Sequence, residues 1–138
     1  MYKTATEKQM SVLLIDDDSD YRWLISDAMN MTGISCNFRE TERAYEGLAL
    51  LRSSTQQEQP DMILVDIEMP GMTGIEFLDE VKKDPALRDI TTIIVSGVKM
   101  QKDQRDELLQ KGAAGVVLKT PDIYEMTRRL QDAIDRAG

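Results

Sequence analysis

Four short apolar runs in this chain each lead into side chains that can take part in chemistry. The runs begin at Val12, Met62, Ile93 and Val116, and the groups that follow them are Asp16, Asp17, Asp18, Asp66, Ser96 and Lys119. The carboxyl ends of neighbouring parallel strands share one edge of a sheet, which is where open α/β sheets bind ligands. Carboxylates hold Mg²⁺, and a hydroxyl together with an ammonium group can hold phosphoryl oxygens. The pattern therefore predicts phosphoryl transfer onto a carboxylate.

The composition limits the class of protein. The chain has 138 residues, a net charge of −8, one cysteine (Cys36) and no histidine. The length fits one domain, and the acidic balance argues against a general nucleic-acid surface. No apolar stretch reaches the length of about 20 residues that a membrane helix needs, and a lone cysteine fits a cytoplasmic protein. Without histidine, the chain has no histidine-ligated metal site and cannot itself be a phosphohistidine donor.

The hydrophobic pattern predicts the order of the elements. Residues 1–11 are mostly polar and lack periodicity, so we expect a flexible N-terminal arm, followed by one domain over residues 12–137. Five strands are expected near 12–15, 34–38, 62–65, 92–95 and 116–118, in alternation with five helices. Ser19 is the expected cap of the first helix, and Thr120 with Pro121 is expected to open the last one. On the second helix, we expect Ala44, Tyr45, Leu48 and Leu51 to face inward.

The alternation of strands and helices predicts an α/β fold with a doubly wound parallel sheet and right-handed crossovers. The second strand alternates polar and apolar residues, which is typical of an edge, whereas the third and fourth are continuously apolar and belong inside. The flavodoxin-like strand order 2-1-3-4-5 meets these conditions and places the ends of strands one and three side by side. Asp16 and Asp17 should therefore face Asp66.

The acidic residues at these strand ends favour a metal site. Adjacent carboxylates such as Asp16 and Asp17 repel each other unless a cation lies between them, and hard oxygen ligands favour Mg²⁺ or Mn²⁺. Asp18 alone is better explained as a helix cap. Asp66 is then the natural phosphoryl acceptor, because a carboxylate oxygen is a usable nucleophile once the metal neutralises the approaching anion.

Four motifs, in this order, resemble the receiver domains of two-component response regulators. They are Leu-Ile-Asp-Asp-Asp ending at Asp18, Val-Asp-Ile-Glu-Met-Pro-Gly-Met-Thr-Gly around Asp66, Val-Ser-Gly around Ser96, and Gly-Ala-Ala-Gly-Val-Val-Leu-Lys ending at Lys119. The resemblance covers about residues 12–137. It implies a signalling switch, whose only chemistry is its own phosphorylation and slow autodephosphorylation, rather than an enzyme.

The resemblance also implies a role for each site residue. Asp66 is the implied phosphoacceptor, and Mg²⁺ is bound by Asp17, Asp66 and the backbone carbonyl of Glu68. Asp16 acts mostly through water. The implied phosphate-binding and switch residues are Ser96, Gly97 and Lys119.

The partners follow from the same resemblance. The phosphoryl donor is expected to be a sensor histidine kinase or a histidine phosphotransfer protein. Phosphorylation is expected to reshape the face formed by the fourth helix, fifth strand and fifth helix, which would contact an unidentified output partner or a second copy of the chain. Direct binding to nucleic acid or to a membrane is not expected.

Three positions depart from the family pattern. Val116 occupies a switch position where the family often has an aromatic residue. Thr120 follows Lys119 where the family commonly has proline after a cis bond, and a cis bond before a residue other than proline costs about 3–4 kcal/mol. Thr73 occupies a position that is usually acidic.

Two other functions remain open from the sequence. Aspartyl-phosphate hydrolases of the haloacid dehalogenase type also carry Asp-x-Asp after the first strand, which Asp16 and Asp18 match, and their nucleophile lies in that motif. A receiver-fold scaffold that binds partners without phosphorylation is the other alternative. The complete set of site residues argues against the scaffold.

Overall fold

The computed structural model describes residues 9–138, in which five strands alternate with five α-helices. The strands are β1 (Met10–Ile15), β2 (Cys36–Thr41), β3 (Met62–Asp66), β4 (Thr91–Ser96) and β5 (Gly115–Leu118). The helices are α1 (Ser19–Met31), α2 (Ala44–Ser53), α3 (Gly74–Lys83), α4 (Lys102–Gln110) and α5 (Ile123–Ala137). A short 3₁₀ helix, Gln56–Glu58, lies in the loop between α2 and β3.

The five strands form one parallel sheet in the order β2-β1-β3-β4-β5. This confirms the predicted strand order and the edge position of the second strand. The register pairs Ile15 with Val65 and Asp66 with Val95. As a result, the carboxyl ends of the central strands lie level with one another, and the residues that follow them share one edge.

The helices cover both faces of the sheet, because successive strand residues point to opposite sides. One face packs against α1 and α5, and the other packs against α2, α3 and α4. The apolar strand residues buried on the α1 side are Val12, Leu14, Met62, Leu64, Ile93, Val95 and Val117. Those buried on the other side are Leu13, Ile15, Ile63, Val65 and Ile94. Burial on both faces explains why the central strands read as continuous apolar runs.

The first strand begins earlier than expected. Met10 and Ser11, which the sequence pattern assigned to the arm, belong to β1: the Met10 N–H donates to the Ser35 carbonyl, and Ser11 and Asp61 exchange hydrogen bonds. Residues 1–8 of the expected arm lie outside the described residues.

The interpretation of Asp18 as a helix cap is confirmed, whereas Ser19 and Thr120 do not cap the helices that they were expected to begin. Asp18, not Ser19, caps α1, because its carboxylate accepts the N–H groups of Asp20 and Tyr21. Asp122 caps α5 in the same way, so the helix begins at Ile123 rather than at Pro121. Thr120 instead supports the cap through its hydroxyl, which accepts the Asp122 N–H. A carboxylate competes well for free helix N–H groups and also complements the helix dipole.

The predicted inward face of α2 is wrong at one position. Tyr45 is 58% exposed, and Gly47 is buried in its place beside Leu48. The helix lies so close to β1 that a Cβ on Gly47 would overlap the side chain of Ile15. No helix among residues 9–138 combines the length and apolar character needed to span a bilayer.

Candidate functional site

Three carboxylates meet at the carboxyl edge of the sheet. Asp16 and Asp17 follow β1, and Asp66 is the last residue of β3. One oxygen from each lies within 4.8 Å of the others. Asp16 is 1% exposed and Asp66 5% exposed, whereas Asp17 is open to solvent. The arrangement follows from the strand order, which places β1 beside β3.

Lys119, the residue after β5, places its ammonium group beside these carboxylates. Its Nζ lies 2.8 Å from Asp16 Oδ2 and 3.5 Å from Asp66 Oδ2. The backbone N–H of Lys119 donates to the Ser96 carbonyl at 2.7 Å, so the pairing of β4 with β5 continues one residue beyond the end of β5. Lys119 therefore bridges two carboxylates that come from different strands.

At Asp66 and Lys119, burial and the contact between their opposite charges shift the pKa values in opposite directions. Burial, followed by the nearby charge of Asp16, raises the pKa of Asp66 to about 6, although Lys119 and the Glu68 N–H oppose the change. Burial alone lowers the pKa of Lys119, but its contacts with Asp16 and Asp66 outweigh burial and raise that pKa. At neutral pH, an ionised Asp66 therefore faces a charged Lys119.

Asp16 is held by its own loop and by α1. Its Oδ1 accepts the Asp18 N–H at 2.9 Å, and its carbonyl accepts a hydrogen bond from Arg22 Nη1 at 2.6 Å. Arg22 also pairs with Glu40 of β2 at 2.9 Å. Sequence reasoning missed Arg22, because its partners come from two strands and are not marked by any local pattern.

Tyr21 is a second residue whose role the sequence did not indicate. Its hydroxyl accepts the Thr120 N–H at 2.9 Å and donates to the Thr120 carbonyl at 3.0 Å. Lys119 Nζ lies 4.6 Å from the centre of the Tyr21 ring, within range of a cation–π contact. Burial raises the pKa of Tyr21, so the hydroxyl keeps its proton. No peptide bond among the described residues is cis, so the Lys119–Thr120 bond is trans.

Ser96 ends β4 and is 2% exposed. Its hydroxyl donates to the Val98 carbonyl at 2.7 Å and accepts the Val98 N–H at 3.1 Å. Both bonds lie within its own loop, so the hydroxyl is held by the β4–α4 connection. Gly97 is exposed, and a Cβ there would be in ordinary contact with Lys119 Cδ at 3.8 Å.

The loop after β3 folds back against the backbone of Asp66. A Cβ on Gly74 would overlap the Asp66 carbonyl oxygen, so this approach requires glycine. Thr73, at the position where the family is usually acidic, caps α3 by accepting the Glu76 N–H. Glu68 is exposed, and its N–H donates to Asp66 Oδ1 at 3.4 Å.

Val116 is half-buried in β5, opposite Ile94 of β4. It lines a cavity of about 220 Å³ together with Ser96, Met100 and Arg105. The expected switch position therefore borders a cavity that is also lined by the end of β4 and the first turn of α4.

The donor set suits a hard divalent cation. The only ligand atoms in the cluster are carboxylate oxygens. Among the described residues, three carboxylates meet here, and the ammonium group of Lys119 is the one positive charge in contact with them. This leaves negative charge that a cation would neutralise, and oxygen ligands favour Mg²⁺ or Mn²⁺ over softer metals. The acidic cluster could thus hold a metal ion.

Sequence comparison identifies relatives of this chain. The sequence model of the response regulator receiver domain matches residues 12–131. The chain is 30% identical, over 93% of its length, to the phosphate regulon transcriptional regulatory protein PhoB of Pseudomonas aeruginosa, of which it covers 53%. It is 28% identical, over 94% of its length, to the chemotaxis protein CheY of the same organism, of which it covers 99%. The chain therefore spans about half of PhoB and nearly all of CheY.

Solved structures share the fold. The phosphorylated cyanobacterial phytochrome response regulator RcpA matches with a TM-score of 0.78 at 21% identity, over 91% of both chains. The Mn(2+)-bound form of response regulator Rcp1 matches with a TM-score of 0.75 at 19% identity, over 89% of this chain and 90% of that one. The flavodoxin-like arrangement predicted from the sequence is thus confirmed.

Proposed function

The chain belongs to the response regulator receiver domains, which are signalling domains rather than enzymes, and we propose that it is a phosphoacceptor switch that takes a phosphoryl group onto Asp66. The observation that carries this proposal is the setting of Asp66, a buried carboxylate beside Lys119 and the acidic residues after β1. The donor is a phosphohistidine on a sensor histidine kinase or a histidine phosphotransfer protein.

In the proposed transfer, an Asp66 oxygen forms a bond to phosphorus while the bond between phosphorus and the donor nitrogen breaks. Above its pKa of about 6, Asp66 is ionised and can act as the nucleophile. The Lys119 ammonium forms charge-assisted hydrogen bonds to the phosphoryl oxygens. Water later attacks the acyl phosphate slowly, which releases inorganic phosphate and restores the Asp66 carboxylate.

The metal in this proposal is Mg²⁺, with Mn²⁺ as a substitute. Asp17 and Asp66 bind it together with the backbone carbonyl of Glu68, and Asp16 acts through water. When bound, the ion reduces the repulsion between the carboxylates and the incoming phosphoryl group. The oxygen-only donors and the open position of Asp17 support this assignment.

The proposed output begins at Ser96. Its hydroxyl leaves the Val98 backbone and donates to the phosphoryl group on Asp66. The loss of the bonds to Val98 changes the connection that leads into α4. The face formed by α4, β5 and α5 then carries the signal to an output partner.

Phosphorylation with acetyl phosphate and Mg²⁺, followed by intact-mass measurement, tests the acceptor. We expect the wild type to gain one phosphoryl group and Asp66→Asn to gain none. Asp84→Asn, which changes a carboxylate at the end of α3, is the matched control and should be labelled normally. Labelling that persists in Asp66→Asn, or that maps to Asp16, would reject the proposal, and the second result would favour the hydrolase alternative.

Titration with Mg²⁺, followed by amide chemical shifts, tests the metal site. We expect saturable shifts at residues 16–18 and 66–68 in the wild type and much weaker binding in Asp17→Asn. Asp20→Asn removes a nearby exposed carboxylate outside the cluster and should bind Mg²⁺ like the wild type. Equal binding by both variants would contradict the assignment.

A further inference from the structure

The cavity beside Val116 has a lining whose charged groups are all positive. It measures about 220 Å³ and lies between the connection from β4 to α4 and the edge strand β5. Lys99 of the connection and Arg105 of α4 supply its charges, and none of the described side chains that line it is acidic. The cavity is therefore a local basic site in a chain that carries a net charge of −8.

Both cations lack a partner within the described part of the chain. Neither Lys99 Nζ nor the Arg105 guanidinium forms an ion pair or a hydrogen bond with any of residues 9–138. By contrast, the neighbouring Lys102 is paired with Asp106 at 3.1 Å. A guanidinium group binds a carboxylate through paired hydrogen bonds, so the two unpaired cations favour a carboxylate as the ligand.

The rest of the lining is mostly apolar. Val98 and Met100 contribute from the connection, and Val116 and Leu118 contribute from β5. Val98 is 58% exposed, so apolar surface remains uncovered at this place. A thioether sulfur contacts aromatic rings favourably, and a guanidinium stacks on ring faces. This combination favours a ring as the apolar part of the ligand.

The volume of the cavity limits the size of that ligand. A protein cavity of about 150 Å³ is known to accept benzene. The volume of about 220 Å³ therefore leaves room for one six-membered ring and a carboxylate. A ligand with several rings would extend out of the cavity into solvent.

We propose that this cavity binds a small aromatic carboxylate. The ring packs between Met100 and Val116, and the carboxylate pairs with Arg105 and Lys99. This binding site does not depend on phosphorylation, because none of these four residues belongs to the acidic cluster.

The position of Ser96 gives the ligand an effect on the switch. Ser96 and Val98 both line the cavity, and two hydrogen bonds of 2.7 and 3.1 Å join the Ser96 hydroxyl to the Val98 backbone. A ligand that packs on Val98 stabilises the arrangement in which these bonds are formed. Phosphorylation removes them in the proposed switch, so it should weaken ligand binding, and the ligand should oppose switching to the same extent. This effect rests on the proposed function.

Titration of the full chain with benzoate, followed by amide chemical shifts, tests the site. We expect saturable shifts in residues 96–100, 105 and 116–118. Benzamide keeps the ring without the charge and should bind roughly fivefold more weakly, as for the loss of two surface ion pairs. Acetate keeps the charge without the ring and should bind about tenfold more weakly. Equal binding of benzamide or of acetate would overturn the proposal.

A double variant with a matched control tests the two cations. Lys99→Gln with Arg105→Gln should bind benzoate roughly fivefold more weakly than the wild type. Lys83→Gln with Arg88→Gln removes the same charge at exposed positions outside the cavity and should bind like the wild type. Equal weakening in both double variants would overturn the proposal, because it would show a general charge effect.

Filling the cavity tests its location. Val116→Phe keeps both cations but occupies the space for the ring, so benzoate shifts in residues 96–100 should disappear. The amide spectrum of the variant without ligand shows whether the fold is kept. Binding of benzoate to a folded Val116→Phe variant with wild-type affinity would place the site elsewhere and reject the proposal.

Labelling of Asp66 separates the binding site from its effect on the switch. Phosphoramidate with Mg²⁺ serves as the donor, because it releases no carboxylate that competes with benzoate. Labelled protein should bind benzoate several-fold more weakly than unlabelled protein, and equal affinity would reject the effect on the switch. Absent labelling of the wild type would reject the switch together with this effect, whereas absent benzoate binding would reject the site.

Discussion

At the scale of single residues, the site depends on how burial and charge compete at Asp66. Burial favours the neutral carboxyl, and Asp16 adds repulsion, but Lys119 lies only 3.5 Å away and favours the charged form. The net result is a pKa of about 6. The ionised group is therefore available at neutral pH, at a cost to the stability of the fold.

Asp66→Asn should stabilise the protein at neutral pH. The pKa of Asp66 rises from 3.8 to about 6 on folding, so the folded state binds the proton more tightly. The wild type therefore loses stability as the pH rises from about 4 to about 6, and the loss is complete above that range. The asparagine variant lacks this loss, and its free energy of unfolding should exceed that of the wild type by about 2–3 kcal/mol at neutral pH.

Urea unfolding in EDTA at acidic and neutral pH measures this difference, which should nearly vanish at about pH 4. For Asp20→Asn, at an exposed position on α1, the difference from wild type should be the same at both pH values, because this variant keeps Asp66. A difference between Asp66→Asn and wild type that is the same at both pH values would contradict the prediction.

Tyr21→Phe should loosen the segment that carries Lys119. The change keeps the ring beneath the ammonium group but removes both hydrogen bonds to the Thr120 backbone. We expect a loss of about 1–2 kcal/mol in the free energy of unfolding, together with slower labelling of Asp66 by acetyl phosphate. Tyr124→Phe, on a side chain that is 74% exposed, is the control and should change neither quantity. Unchanged labelling in Tyr21→Phe would limit Tyr21 to a structural role.

At the scale of elements, helix α2 shows how close approach to the sheet selects a residue. Hydrophobic periodicity favours Tyr45 as a core residue, but the buried face of the helix consists of Ala44, Gly47, Leu48 and Leu51, and Tyr45 lies on the solvent side. At position 47 the helix lies so close to β1 that a Cβ would overlap the Ile15 side chain. The small residue costs some helix stability and is retained because the helix packs directly against β1.

Gly47→Ala should destabilise the protein by about 1–3 kcal/mol, because the added methyl group overlaps the Ile15 side chain. This outcome is opposite to that expected from helix propensity, since alanine favours a helix over glycine by about 1 kcal/mol. Gly115→Ala is the control, because its Cβ would be in ordinary contact with Ala133 at 3.6 Å. Thermal or urea unfolding measures the change in stability, and a Gly47→Ala variant that is more stable than the wild type would contradict the packing argument.

At the scale of the whole molecule, a continuous path connects the acidic site to the outer face. Ser96 lies at the end of β4 and shares a cavity with Met100, Arg105 and Val116. Arg105 and Val116 also line a groove of about 330 Å³ that runs along β5 between α4 and α5. Leu108 is the one fully buried residue of α4, so this helix has few anchors, and low burial allows low local stability.

Ser96→Ala should separate phosphorylation from its effect on the α4–β5–α5 face. The variant keeps Asp66 and Lys119, so acetyl phosphate should still label it. It lacks the hydroxyl that moves toward the phosphoryl group, so hydrogen exchange in residues 97–137 should change on phosphorylation in the wild type but much less in the variant. A Thr92→Ser variant, which changes a buried β4 residue that is distant from the strand end, should behave like the wild type. Wild-type changes confined to residues 66–74 would contradict the proposed output face.

The sequence alone determined the sheet order and the residues that gather at its edge. Continuous apolar runs mark strands buried on both faces, and a parallel arrangement brings their carboxyl ends together. For this reason, the meeting of Asp16, Asp17 and Asp66 with Lys119 followed from positions along the chain. These features need only local pattern and topology.

Only the tertiary structure decided how these groups are held. Tyr21 bonds to Thr120 across 99 residues of sequence, and Arg22 links the loop after β1 to β2. Gly47 is buried and Tyr45 is exposed, because the helix turns the face with Ala44, Gly47, Leu48 and Leu51 towards the sheet. Such contacts depend on the separation and angle of packed elements, to which residues far apart in the chain contribute, and hydrophobic periodicity within one element carries no information about them.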